Sequence, residues 1–110
     1  MPDFKELKQE FADSSDFLIA LGDLKRQAII IKLLEAEHIC DGLQVTDLTE
    51  ATGLSRPAVS HHLKVLRDAK LIDFKRVGTK NYYFLAHDLA SINQLRQMLN
   101  TVASVMEAHV

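Results

Sequence analysis

The chain has 110 residues, 47% of them apolar and 25% charged, which suits one folded domain and is too hydrophobic for a disordered segment. No apolar run approaches the roughly 20 residues that cross a bilayer, and the opening MPDFKELKQEF lacks a signal-peptide core. The single cysteine, Cys40, excludes an internal disulfide. A cytoplasmic protein with no membrane partner is expected, and a domain this small gains burial by oligomerising. The formal net charge of −2 conceals a division: between Gly53 and Tyr83 seven basic residues stand against Asp68 and Asp73, an excess of five positive charges, while the remainder carries six basic and thirteen acidic residues. A basic segment in an acidic body is an electrostatic footprint for phosphates; a solvated surface with clustered charge is the alternative.

Phe4, Leu7, Phe11 and Leu18 recur at heptad-like spacing and predict a helix from about Asp3 to Ala20, with Ser14 and Ser15 marking a bend. Gly22 breaks the pattern. Asp23 is placed to cap a second helix carrying Ala28, Ile29, Ile30, Leu33 and Leu34, which ends near Glu37.

The stretch VTDLTEATGLSRPAVSHHLKVLRDAKLI, Val45 to Ile72, is the most informative. Thr46 reads as the cap of a short helix, with Asp47 in a first turn whose dipole favours negative charge. Gly53 supplies the left-handed backbone of a tight turn. Ser55 caps the next helix, Leu54 packs inward, and Pro57 sits where its missing N–H costs little. Two helices joined by so short a turn read as a helix-turn-helix, an ordinary helical hairpin being the alternative. At 100° per residue Val59, Leu63 and Leu66 form one apolar stripe with His62 on its edge. Pro57, Ser60, His61, Lys64 and Asp68 lie opposite, flanked by Arg56 and Arg67. Ser, His, Lys and Arg are groups that reach phosphates or base edges when a helix enters the major groove.

Beyond Lys70 the pattern turns to β-branched and aromatic residues. Leu71–Val77 and Asn81–Leu85, separated by Gly78, Thr79 and Lys80, predict a β-hairpin. Lys75, Arg76 and Lys80 crowd its tip, while Tyr82, Tyr83 and Phe84 read as packing residues. From about Asp88 to His109, Ile92, Leu95, Leu99, Val102, Met106 and His109 alternate at steps of three and four, the seam of a coiled coil. Together with the first helix this stripe suits a dimer interface; folding back on the chain's own core is the alternative.

The order helix, helix, helix-turn-helix, wing, terminal helix resembles the ArsR/SmtB family of small bacterial repressors over roughly Ala20 to Leu85. LGDLKRQAIIIKLL (Leu21–Leu34) looks like that family's second helix, although Leu24 and Lys25 stand where proline and threonine are usual. LSRPAVSHHLKVLRDAKLI (Leu54–Ile72) and NYYFL look like its recognition helix and hairpin. The resemblance implies a homodimer built from the terminal helices, bound to double-stranded DNA at an imperfect inverted-repeat operator and released by an effector. Its metal-sensing residues do not carry over. Gln44 and Thr46 occupy the places of a Cys-x-Cys pair, and His87, Leu89, Asn100 and Ala103 those of a second ligand set, so no metal or other cofactor is expected. His38 with Cys40, Glu107 with His109, and oxidation of Cys40 remain lesser candidates.

The expected fold is mainly α with an α+β wing: a winged helix-turn-helix over residues 1–110, its helix-turn-helix at 46–69 and wing at 71–85. Residues 1–21 and 88–110 are the expected dimerisation helices. The expected DNA contacts are Ser55, Arg56, Ser60, His61, Lys64, Arg67, Lys75, Arg76 and Lys80. A winged-helix module that dimerises or binds protein without DNA is the competing function. An enzyme is not expected, because there is no phosphate-binding glycine loop, no nucleophile elbow and no nucleophile-base pair.

Overall fold

The computed structural model describes residues 4–108. Its elements are α1 (Phe4–Asp13), α2 (Ser15–Leu21), α3 (Leu24–Ala36), α4 (Val45–Thr52), α5 (Arg56–Asp68), β1 (Ile72–Val77), β2 (Lys80–Leu85) and α6 (Ala90–Glu107). Among the described residues no helix is long and apolar enough to cross a membrane. Asp3 and His109, included in the expected end helices, lie outside the described residues.

The first expected helix is two helices that meet at Ser14. Ser15 Oγ donates to the Phe11 carbonyl at 3.0 Å, and hydroxyls that bond back onto the preceding turn bend a helix. The bend turns Phe17 and Ala20 inward, where they are buried, while Phe4, Phe11 and Leu18 stay exposed. Asp23 caps α3 as expected, its Oδ1 accepting from the N–H groups of Lys25 (2.9 Å) and Arg26 (3.0 Å). Of the apolar residues expected on α3, Ile29 and Leu33 are buried, Ile30 packs at the edge of the core, and Leu34 faces outward.

Thr46 does not cap α4. The helix begins two residues earlier, at Val45 with Gln44 at the cap, and the Asp47 carboxylate reaches back to accept the Gln44 N–H at 2.9 Å. A carboxylate at the third helical position satisfies an orphan amide and meets the positive end of the dipole, so the start is defined by Asp47. At the other end Gly53 has φ +72°, a backbone conformation that L side chains avoid.

The core is Ala20, Ile29, Leu33, Leu48, Val59, Leu63, Leu66, Ala69 and Ile72, drawn from α2, α3, α4, α5 and β1. The hairpin pairs Ile72 with Leu85 and Val77 with Lys80, so Lys80 opens β2 and the turn is Gly78-Thr79. Gly78 alone in that turn has positive φ, +65°, as a two-residue turn with glycine first requires. A bridge between Leu43 and Tyr83 ties the wing to the loop before α4. The seam expected on α6 divides: Leu95 and Val102 are half-buried, Ile92, Leu99 and Met106 are exposed, and Met98, outside the expected seam, is buried at 1%. A straight helix drifts from a strict seven-residue repeat, so one stripe serves two faces, and α6 packs on α1 with the inner one.

Leu63 is 1% exposed and Lys64 exposed. Leu63→Ala is expected to cost about 2–5 kcal/mol in urea unfolding, and Lys64→Ala no more than about 0.5 kcal/mol. Equal losses would show that the two faces of α5 are misassigned.

Candidate nucleic-acid interface

Three fully buried residues orient α5. Val59 and Leu66 are 0% exposed, and burying such side chains contributes about 1.5–3 kcal/mol each. The opposite face is thereby committed to solvent: Ser60, His61, Lys64, Arg67 and Asp68 are exposed. Ser55 Oγ accepts the Ala58 N–H at 3.3 Å and starts the helix, with Pro57 in the first turn. Ser55 is therefore engaged as a cap. Arg56 Nη1 donates to Thr46 Oγ1 at 3.1 Å, tying the start of α5 to the start of α4. Lys64 lies 3.3 Å from Asp68 one turn on, an exposed pair of small energetic weight.

His62, on the edge of the apolar stripe, is half-buried and accepts from Arg26 Nη1 at 3.1 Å. The same guanidinium donates from Nε to the Ala20 carbonyl (2.9 Å) and from Nη2 to the Ile19 carbonyl (3.0 Å). Gln27 Nε2 donates to the Leu21 carbonyl at 2.8 Å, and Lys25 Nζ to the Thr52 carbonyl at 3.0 Å. The first turn of α3 thus supplies donors to the carboxyl ends of both α2 and α4, where helices leave carbonyls unpaired. Sequence reading passed over Arg26, although its spacing to Ile29, Ile30 and Leu33 already put it on the inward face.

The wing does not gather its cations on one face. Successive strand residues alternate sides, so Lys75, Val77, Lys80 and Tyr82 share one face and Phe74, Arg76, Asn81 and Tyr83 the other. The Phe74 face meets α5: the Arg67 guanidinium lies 4.4 Å from the Phe74 ring centroid, with Nε 3.9 Å from Asp73. Arg76 is on this same side of the ribbon, its Nε donating to the Gly78 carbonyl at 3.2 Å. Lys75 turns the other way, 3.9 Å from Asp41 in the loop after α3.

Between the wing and the end of α3 lies a cleft of about 250 Å³ lined by Leu33, Cys40, Lys75 and Tyr83, among others. His87 Nε2 pairs with Glu37 at its rim. Cys40 is exposed, with Sγ 3.4 Å from the Gly42 carbonyl. Among the described residues no group of three or more His, Cys, Asp or Glu side chains is arranged to hold a metal ion.

A recognition-type helix set on a helix-turn-helix, with a basic hairpin against its carboxyl end, defines the class of winged helix-turn-helix regulators. Comparison with known proteins carries this to a family. The family described as bacterial regulatory protein, arsR family, matches residues 25–73. The arsenical resistance operon repressor of Staphylococcus xylosus is 35% identical over 92 residues, 83% of this chain and 84% of that protein. The transcriptional repressor SmtB homolog of Synechocystis is 39% identical over 72 residues, 66% of this chain, which spans only 51% of that protein's length. An ArsR-like transcriptional regulator from Rhodococcus has the same fold, with a TM-score of 0.73 at 22% identity over 90% of this chain and 84% of that one. The chain belongs to the ArsR family. Its members are regulators of transcription, not enzymes.

The Asp23 carboxyl is held below the ordinary carboxylate range, chiefly by the hydrogen bond from the Arg26 backbone N–H, against a smaller desolvation effect. A depressed value means that Asp23 stabilises the fold above the ordinary carboxylate range, and that this contribution is lost as pH falls through the folded value. Asp23→Asn keeps the accepting oxygen without the charge. The variant is expected to lose less stability than the parent between about pH 5 and about pH 2 in urea titrations; identical acid limbs would contradict the assignment.

Proposed function

We propose that the protein is a cytoplasmic, homodimeric transcriptional repressor that sets α5 of each subunit into the major groove of an inverted-repeat operator. The observation that carries this reading is the division of α5, with Val59, Leu63 and Leu66 buried and Ser60, His61 and Lys64 exposed. Ser60 and His61 are the base-reading residues, since a hydroxyl and an imidazole offer directional donors and acceptors to base edges. Arg56, Lys64, Arg76 and Lys80 hold phosphates. Arg67, Lys75 and Ser55 contribute through the geometry they maintain: Arg67 on Phe74, Lys75 beside Asp41, Ser55 at the helix start.

Two observations support the homodimer. The radius of gyration is 16.7 Å and the longest extent 54 Å, whereas a compact chain of this length has a radius of about 13 Å. The end helices also expose Phe4 at 59%, Leu99 at 53% and Met106 at 67%, beside Phe11, Leu18 and Ile92. Apolar surface of that size marks an interface. Neither of the family's metal sites is complete here: Gln44, Thr46, Leu89, Asn100 and Ala103 offer no thiolate, imidazole or carboxylate, and His87 alone among those positions is a potential ligand, so the effector acts elsewhere than at those two sites. The relative from Staphylococcus xylosus is named for arsenical resistance. A soft metalloid calls for several thiolates, and this chain has Cys40 alone.

With about 6–10 phosphate contacts per dimer, affinity for a selected duplex should fall by roughly 10³–10⁵ between 50 and 200 mM salt. Lys80→Ala should weaken selected and random duplexes alike, whereas Ser60→Ala and His61→Ala should relax discrimination at particular base pairs. Equal losses on both duplexes for all three variants would refute the division between positioning and readout. Leu99→Asp should yield a folded monomer, because the exposed position tolerates a charge until a partner buries it unpaired. A wild-type protein that sediments as a monomer at micromolar concentration would sink the dimer.

A further inference from the structure

We propose that Arg26 is a positioning residue for the recognition helix, and that proton uptake by its partner His62 loosens α5 from the N-terminal arm, formed by α1 and α2, and weakens DNA binding. The inference rests on the DNA-binding reading above and adds a regulated joint to it.

Arg26 occupies the meeting point of three helices. Its fork joins the Ile19 and Ala20 carbonyls at the end of α2 to His62 Nδ1 on α5, and its own backbone lies in the first turn of α3. A guanidinium has donors only. His62 Nδ1 must therefore be the acceptor, which requires that this nitrogen carry no proton. When it takes one up, two donors and two positive charges face each other at 3.1 Å, and an attractive contact to a charged group becomes repulsive.

Asp23, the cap of α3, is an acidic neighbour of both Arg26 and His62, and its charge offsets part of that repulsion; its Oδ1 also accepts two backbone N–H groups. His61 is the titratable neighbour on the same helix, with ring centroids 5.9 Å apart. From α2 come the Ile19 and Ala20 carbonyls, and Asp16 lies in its exposed first turn. On α4 Asp47 bonds to Gln44, and Glu50 is exposed; on β1 Asp73 faces Arg67 and Lys75 faces Asp41, while Arg76 bonds to Gly78. The Arg26 fork holds the end of the arm on one side and the recognition helix on the other, so its rupture alters their relative setting. Half-site spacing on DNA depends on that setting in a dimer.

The test measures duplex affinity by fluorescence anisotropy at about pH 8 and about pH 5.5, the span over which histidine changes charge. The probe is a duplex selected from a random pool by the wild-type protein at the higher pH. His62→Gln keeps an oxygen acceptor for Arg26 and cannot take up a proton. Arg26→Gln removes the cation that a protonated His62 would meet. Relative to His62→Gln, the wild type should lose about tenfold more affinity on acidification, the scale of one hydrogen bond to a charged group. Arg26→Gln should bind more weakly than wild type at the higher pH and show the flatter pH profile of His62→Gln. Circular dichroism melting identifies any variant that fails to fold, and a surviving one decides by its pH profile. Parallel profiles for wild type and a folded variant would overturn the proton-dependent joint, and wild-type affinity in Arg26→Gln would overturn the positioning role. A wild-type protein that selects and binds no duplex overturns the DNA-binding reading instead.

Discussion

Burial of one side of α5 is the constraint on which the rest of the molecule depends. Val59, Leu63 and Leu66 are the point where α2, α3, α4 and β1 converge. Each is essentially without solvent contact, so the helix cannot rotate without opening a cavity in a densely packed core. Fixing that rotation exposes Ser60, His61 and Lys64 along one edge. The same rotation brings Arg67 over Phe74, which sets the hairpin against the end of the helix. The polar face and the wing are therefore consequences of one packing decision made on the opposite side.

A second layer of organisation comes from α3, whose first turn gives its side chains to other helices. Lys25 reaches Thr52, Gln27 reaches Leu21, and Arg26 reaches Ile19, Ala20 and His62. Carbonyls at helix ends carry partial negative charge, so cationic and amide donors there both satisfy and attract. This joins α2, α4 and α5 through a few directional polar contacts. It also accounts for Lys25, which stands where the family usually has threonine and here anchors the carboxyl end of α4.

Most of the framework was legible because it rests on local chemistry. Asp23, Gly53 and Ser55 act at the caps and turn where their side chains and backbone freedom suit them, and the apolar stripe of α5 followed from its spacing. Four features were not legible, each for a physical reason. Thr46 and Asp47 both suit the start of a helix, and the carboxylate's reach back to Gln44 decided between them. Lys75, Arg76 and Lys80 are neighbours in sequence, but strand pleating divides them between two faces. On α6 the spacing of Leu95, Leu99 and Val102 could not distinguish a face packed on α1 from one turned to solvent, because both lie within one broad stripe. Met98, between them, takes the most buried position. Arg26 went unread because a charged residue at an inward position looks like an exception to amphipathicity until its partners are known.

The account's central claim is that the two α5 helices of a dimer read DNA, and the most direct measurement is selection from a randomised duplex pool with the wild-type protein, followed by sequencing. The prediction is enrichment of an inverted repeat whose half-sites are separated by one helical turn, about 10–10.5 base pairs centre to centre, or a multiple of it. Recovery of the input distribution, with no sequence enriched after successive rounds at low salt, would contradict it.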